Sequence, residues 1–205
     1  MVRPGHHLLC PPLLKAAALA ACLSLSACVT TPPAPPVMAP LAWELRMPAL
    51  QQVSQWALDG RAAASIGKQG WQASLAWEQQ GSTSELHLTG PLGIGASVVR
   101  LSPEGLSIDG AKPREDAAAI LQERLGVELP LGSLRFWLLG VPDPGEDSTI
   151  TRNAQDRAQQ LSQSGWTVVI DRYMPVQGDW LPAQLSVLRD DVRLRIAVDT
   201  WELPR

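Results

Sequence analysis

Residues 192–198 read Val-Arg-Leu-Arg-Ile-Ala-Val, which puts Val192, Leu194, Ile196 and Val198 on one face and Arg193, Arg195 and then Asp199 on the other. A period of two fits a half-buried β-strand and no helix. The same alternation sets Trp71, Ala73, Leu75 and Trp77 against Gln72, Ser74, Ala76 and Glu78. After a turn at Gln79-Gln80-Gly81-Ser82, Leu86 and Leu88 alternate with Glu85, His87 and Thr89. Val98 to Leu101 resumes the pattern, and Leu106 and Ile108 follow Pro103-Glu104-Gly105. Further strands are expected at Leu161, at Val168 and Ile170, and at Leu185 and Val187. Short alternating strands separated by Gly and Pro turns predict an antiparallel meander.

The middle of the chain changes period. Ala117, Ile120, Leu121 and Leu125 are spaced for a helix that Gly126 can end, and Leu131, Leu134, Leu138 and Val141 form a second stripe before Pro142. Asp143 to Asp147 reads as an exposed loop. Leu50, Val53, Trp56 and Ala57 predict a short earlier helix over about Pro48–Gln55, and Asp59-Gly60 a turn or bulge. Strands, two helices, then strands point to a mainly β fold: one strongly curved antiparallel sheet with α-helices on its concave side.

Upstream, the basic residues Arg3 and Lys15 precede an apolar run from Ala16 to Leu25, with small residues closing it before Cys28. That is the pattern of a secretory signal peptide, and the run is shorter than the ~20 residues a membrane span needs. Leu25-Ser26-Ala27-Cys28 resembles a bacterial lipobox, in which the Cys sulfur is acylated after cleavage. Leu19-Ala20-Ala21-Cys22 fits the same pattern, but it leaves only Ala16 to Ala21 as apolar core, below the usual ~7–15 residues. Cys28 is preferred. Thr30 to Pro40 is proline-rich and predicts an extended tether of roughly 30 Å at about 3.1 Å per residue. The expected organisation is a signal peptide over 1–27, a lipidated Cys and tether over 28–42, and a single domain over 43–205.

Composition removes several function classes. Cys10 and Cys22 leave with the signal, so Cys28 is the one Cys that remains and no disulfide can brace the domain. His6 and His7 leave as well, and His87 alone offers no Cys/His pair, metal spacing or nucleophile–base pair. No phosphate-binding Gly loop occurs. The formal charge of −3, more negative once Arg3 and Lys15 are removed, argues against a nucleic-acid surface. The acid pairs Glu115-Asp116, Glu146-Asp147 and Asp190-Asp191 are sequence neighbours that do not share a face, and they read as a helix start, a loop and a turn. No catalytic residue, metal or cofactor is expected. Arg61 and Arg135 are the basic residues expected to be half-buried. Eight Trp outnumber one Phe and one Tyr, and most are expected in the core.

One loop breaks the rule that loops are polar. In Pro91-Leu92-Gly93-Ile94-Gly95, Leu92 and Ile94 stand without polar cover. Two placements are open: the loop projects and Leu92 enters a membrane, gaining about 1.5–3 kcal/mol, or it tucks onto the core.

Taken with the lipobox, the segments Trp71 to Trp77, Thr89-Gly90-Pro91-Leu92-Gly93, Leu129 to Pro142 and Trp201 make the chain similar to the LolB family of outer-membrane lipoprotein receptors. The resemblance spans most of the domain, and the stretch through Trp137 is its most specific part. It implies an incomplete antiparallel β-barrel enclosing an apolar cavity capped by helices. Candidate lining residues are Trp71, Leu75, Trp77, Leu86, Val98, Leu121, Leu134, Trp137 and Leu138. It implies partners too: the periplasmic carrier LolA, acylated lipoprotein cargo, and the inner leaflet of the outer membrane, where a lipid-anchored monomer would face the periplasm. Pro91, Leu92 and Gly93 would form a membrane-insertion loop, with Gly90 standing where the family carries Asn. Val29, not Asp, follows the Cys, which implies sorting outward. An alternative of another class is a non-catalytic scaffold lipoprotein of an outer-membrane assembly machine.

Overall fold

The computed structural model describes residues 42–91, 95–112, 122 and 130–204. Helix α1 (Trp43–Gln51) leads into five strands: β1 (Gln55–Ile66), β2 (Gln69–Gln80), β3 (Thr83–Thr89), β4 (Ala96–Ser102) and β5 (Gly105–Ile108). Helix α2 (Leu131–Leu138) follows, then β6 (Ser148–Arg152), β7 (Ala158–Gln163), β8 (Trp166–Val176), β9 (Asp179–Arg189) and β10 (Val192–Glu202). The described strands form one antiparallel sheet in the order β5-β4-β3-β2-β1-β10-β9-β8-β7-β6. Each half is a meander, and the long pairing of β1 with β10 joins the halves. The sheet does not close, and the short strands β5 and β6 form its edges. Short edges limit the unpaired backbone offered to other chains.

The sheet curves around α2. Leu134 of α2 shares one apolar space with Val99 of β4, while Trp137, less than a turn further on, bonds Gln163 of β7. Those strands lie seven places apart in the sheet. Laid flat they would stand about 33 Å apart at ~4.8 Å per strand, whereas α2 is only about 12 Å long. Both can reach one short helix only if the sheet wraps around it, as the sequence pattern predicts. Trp43, Trp56, Trp77, Trp137 and Trp166 are buried, so most of the indoles are core.

Some of these expectations hold and others are corrected. The first helix starts and ends earlier than Pro48–Gln55, because Trp56 is the first buried residue of β1 and not a helical one. Strand β1 continues through Asp59-Gly60, where the register shifts, so this dipeptide is a bulge. A Cβ on Gly60 would lie 2.2 Å from the carbonyl oxygen of Ala197, a close approach that only glycine allows. Arg61 is 69% exposed and pairs with Asp199, so it is not half-buried; Arg135 is. The buried arginine is Arg46 of α1, 2% exposed, whose Nε bonds Asp179 at 2.9 Å and whose other arm reaches the Trp180 carbonyl. The predicted helix over Ala117–Leu125 lies outside the described residues, apart from Gln122.

Candidate functional site

On the concave side of the sheet, side chains from five strands converge on the first turn of α2. Trp71, Leu75 and Trp77 of β2, Leu86 and Leu88 of β3, Val99 of β4, Ala62 of β1, and Leu194 and Ile196 of β10 surround Leu131 and Leu134. Strand alternation produces this directly: Leu75 pairs with Leu88 and Trp77 with Leu86, and all four side chains project to the same face. The described lining side chains are apolar apart from the indole N–H groups of Trp71 and Trp77, and that of Trp77 is buried without a hydrogen-bond partner. The open space they leave is about 20 Å³. That is room for roughly one water, against about 300–1,000 Å³ for pockets that hold small ligands. The apolar chamber that the family resemblance implies is therefore nearly filled, with Leu131 and Leu134 packed among the strand side chains.

The two ends of α2 are held differently. At its C-terminal end, Trp137 Nε1 donates to Gln163 Oε1 at 2.8 Å, and the Trp137 ring lies 6.5 Å from that of Trp166. Leu138 and Leu139 are fully buried there. At the other end no side chain among the described residues caps the helix, and Ser133 donates to Asp143 at 2.9 Å. Thus Trp137 and Leu138, expected to line the chamber, anchor the helix on the far side of it.

The remaining candidates divide as follows. Trp71, Leu75, Trp77, Leu86 and Leu134 come together as expected. Val98 does not: it pairs with His87 on the outer face, and its neighbour Val99 is the buried residue. The run Val98-Val99 offers two equivalent apolar residues, and only the β3–β4 register, with Val99 opposite Leu86, decides between them. Ala62, Leu88, Leu131, Leu194 and Ile196 were not named for the lining. Leu88, Leu194 and Ile196 carried the alternation signal that could have placed them there. Leu121, Leu92, Gly93 and Cys28 lie outside the described residues. Pro91 is exposed at the foot of its loop.

Among the described residues, the groups with acid–base potential lie away from the chamber. His87 is on the outer face, 2.9 Å from Glu85. The hydrogen bond with His87 holds the Glu85 carboxyl below its usual range, against the opposing effect of burial and with help from Arg100. Tyr173 is half-buried and donates to the Ala158 carbonyl at 2.7 Å; the burial of its phenol pushes the pKa well above the usual value.

Comparison with known proteins agrees with this architecture. The sequence pattern of the family described as "Outer membrane lipoprotein LolB" matches residues 54–201. The outer-membrane lipoprotein LolB of Nitrosococcus oceani is 31% identical over 198 residues, covering 93% of this chain and 95% of the relative. That of Pseudomonas aeruginosa is 29% identical over 164 residues, covering 78% and 80%. A crystal structure of the LolA superfamily protein NE2245 from Nitrosomonas europaea superposes with a TM-score of 0.50 at 8% identity, covering 80% of this chain and 94% of that one. At that identity the likeness concerns the fold alone.

Proposed function

The chain belongs to the outer-membrane lipoprotein LolB family, and from that premise we propose that it takes acylated lipoproteins from a periplasmic carrier of the LolA kind into its apolar chamber and passes them to the outer membrane. The observation that supports this reading most is the lining. Five strands and a helix direct apolar side chains at one point, and α2 is secured chiefly at the end away from it. Displacing Leu131 and Leu134 toward the uncapped end would open the chamber without breaking the Trp137–Gln163 bond.

The task needs such a chamber. At about 0.8 kcal/mol per buried CH₂, one acyl chain of roughly 16 carbons costs on the order of 12 kcal/mol to expose to water. A protein interior that binds the chains more tightly than the carrier does makes transfer downhill, with no nucleophile, metal or nucleotide involved. The protein is accordingly read as a non-enzyme. Cys28 would be the acylated residue and residues 29–42 the tether, holding a monomer at the inner leaflet and facing the periplasm. Pro91-Leu92-Gly93 would enter the bilayer at delivery. The scaffold alternative is not favoured by the family match.

Hand-over tests the proposal. Full-length protein in liposomes is mixed with a carrier loaded with labelled lipoprotein, without nucleotide. Cargo should leave the carrier and appear in the liposomes; retention of cargo on the carrier would refute the reading.

A further inference from the structure

The convex face of the sheet carries a second cavity, of about 410 Å³, whose lining shares Ala62 with that of the chamber. Its geometry follows from the register. Arg61 of β1 lies opposite Ala197 of β10, and Ala63 lies opposite Arg195. The two arginines therefore sit on one diagonal and the two alanines on the other. Across β1 the next strand supplies Ser74 beside Arg61 and Gln72 beside Ala63. The small methyls make the floor, and the long cationic and amide side chains make the walls. Ser74 pairs with Thr89, so the chain leaving β3 runs along the rim, and Gly90 and Pro91 complete the cavity.

We propose that this groove is a binding site for the phosphate headgroup of a membrane phospholipid, and that it seats the protein on the bilayer while the loop after Pro91 enters it. The inference deepens the function proposed above and rests on its reading of that loop. Charge is the first argument: two arginines, Arg61 and Arg195, line one cavity of a chain that is negative overall, and planar guanidinium forks match phosphate oxygens. Asp199 holds Arg61 at 2.9 Å, while Arg195 makes no ion pair among the described residues. Arg195 is thus the primary contact, and Arg61 can turn to the same anion. Ser74 and Gln72 add neutral donors for the remaining oxygens. Position is the second argument. A free phosphate would need no apolar floor, and it would gain nothing from a site beside the foot of an apolar loop. A lipid headgroup lies where a loop that enters the bilayer must cross the interface.

Full-length protein in a phosphate-free sugar detergent, carrying ¹³C-methyl alanine, is titrated with dihexanoyl phosphatidylethanolamine. The Ala63 and Ala197 methyl signals should shift saturably. Arg195→Gln and, separately, Arg61→Gln should each weaken binding about tenfold, as expected for loss of one charge-assisted hydrogen bond. Arg193→Gln, one outward position beyond the groove, should not. Dihexanoylglycerol, which lacks the phosphate, should leave both methyls in place. Equal binding by dihexanoylglycerol, or by both groove variants, would overturn the site. Inorganic phosphate binding as tightly as the lipid would make it a free-anion site and overturn the lipid assignment. Weaker docking of the loaded carrier to Arg195→Gln, with lipid binding unchanged, would assign the groove to the carrier instead. The hand-over assay runs on the same preparations. Cargo transfer without methyl shifts refutes the groove alone, and methyl shifts without cargo transfer refute the receptor reading alone.

Discussion

Trp137 and Gln163 are joined by a 2.8 Å hydrogen bond that ties the buried side of α2 to β7. Gln163 is 3% exposed, and its carboxamide is fully used. Its oxygen also accepts from the Asp143 N–H at 2.9 Å, and its nitrogen donates to the carbonyls of Asp143 and Glu146 at 2.8 and 2.9 Å. One side chain thus holds both α2 and the loop that leaves it.

Gln163→Leu keeps most of the volume and removes all four bonds, leaving the Trp137 and Asp143 N–H groups without partners. Each unsatisfied buried group costs about 1–3 kcal/mol, so the variant should lose about 3 kcal/mol of stability in urea unfolding. A loss below about 1 kcal/mol would show that the anchor is not structural.

Tyr173 is the single tyrosine of the chain, which makes its titration readable by absorbance. Burial raises its pKa, and the bond to the Ala158 carbonyl further favours the protonated form. The folded protein should therefore show no tyrosinate at pH ~10, where an unfolded tyrosine is half ionised. Above that pH the folded state holds a proton that the unfolded chain releases. Stability contributed by Tyr173 is present below the unfolded pKa and falls as pH rises beyond it. Ionisation at the ordinary pH with the fold intact would contradict the burial.

The strands that were legible from sequence are those in which apolar and polar residues alternate with strong contrast, as in Trp71–Trp77 and Val192–Val198. β1 was missed because Ala62-Ala63-Ala64 carries no contrast, although Ala62 and Ala64 are buried and Ala63 is exposed. β6 was missed because the edge buries little: four of its five residues are exposed. Arg46 was missed because a buried arginine looks in sequence like any surface charge, and its partner Asp179 lies far along the chain. Register is the information the sequence withholds, and Val98 shows the consequence.

The correction at β4 has its own test. Val99→Ala should cost about 2 kcal/mol because it empties the packed chamber wall, and Val98→Ala less than half of that. Equal losses would mean that the β3–β4 register is wrong.

On the proposed function, a change at Leu92 affects delivery and spares acceptance. Leu92→Glu replaces an apolar contact by a charge that resists leaving water. The variant should still take lipoprotein from the carrier, release it poorly into liposomes, and keep its melting temperature. Delivery at the wild-type rate would exclude Leu92 as the insertion residue, and unfolding would show a loop packed on the core.

The most direct test of the central claim locates the cargo's acyl chains. Lipoprotein bearing photoactivatable fatty acids is presented on the carrier, transferred to the full-length protein, irradiated and mapped by mass spectrometry. Cross-links should fall on Leu75, Leu86, Val99, Leu131 and Leu134, the residues that close the chamber in the empty protein. Cross-links confined to the convex face, with none on those five residues, would contradict the account.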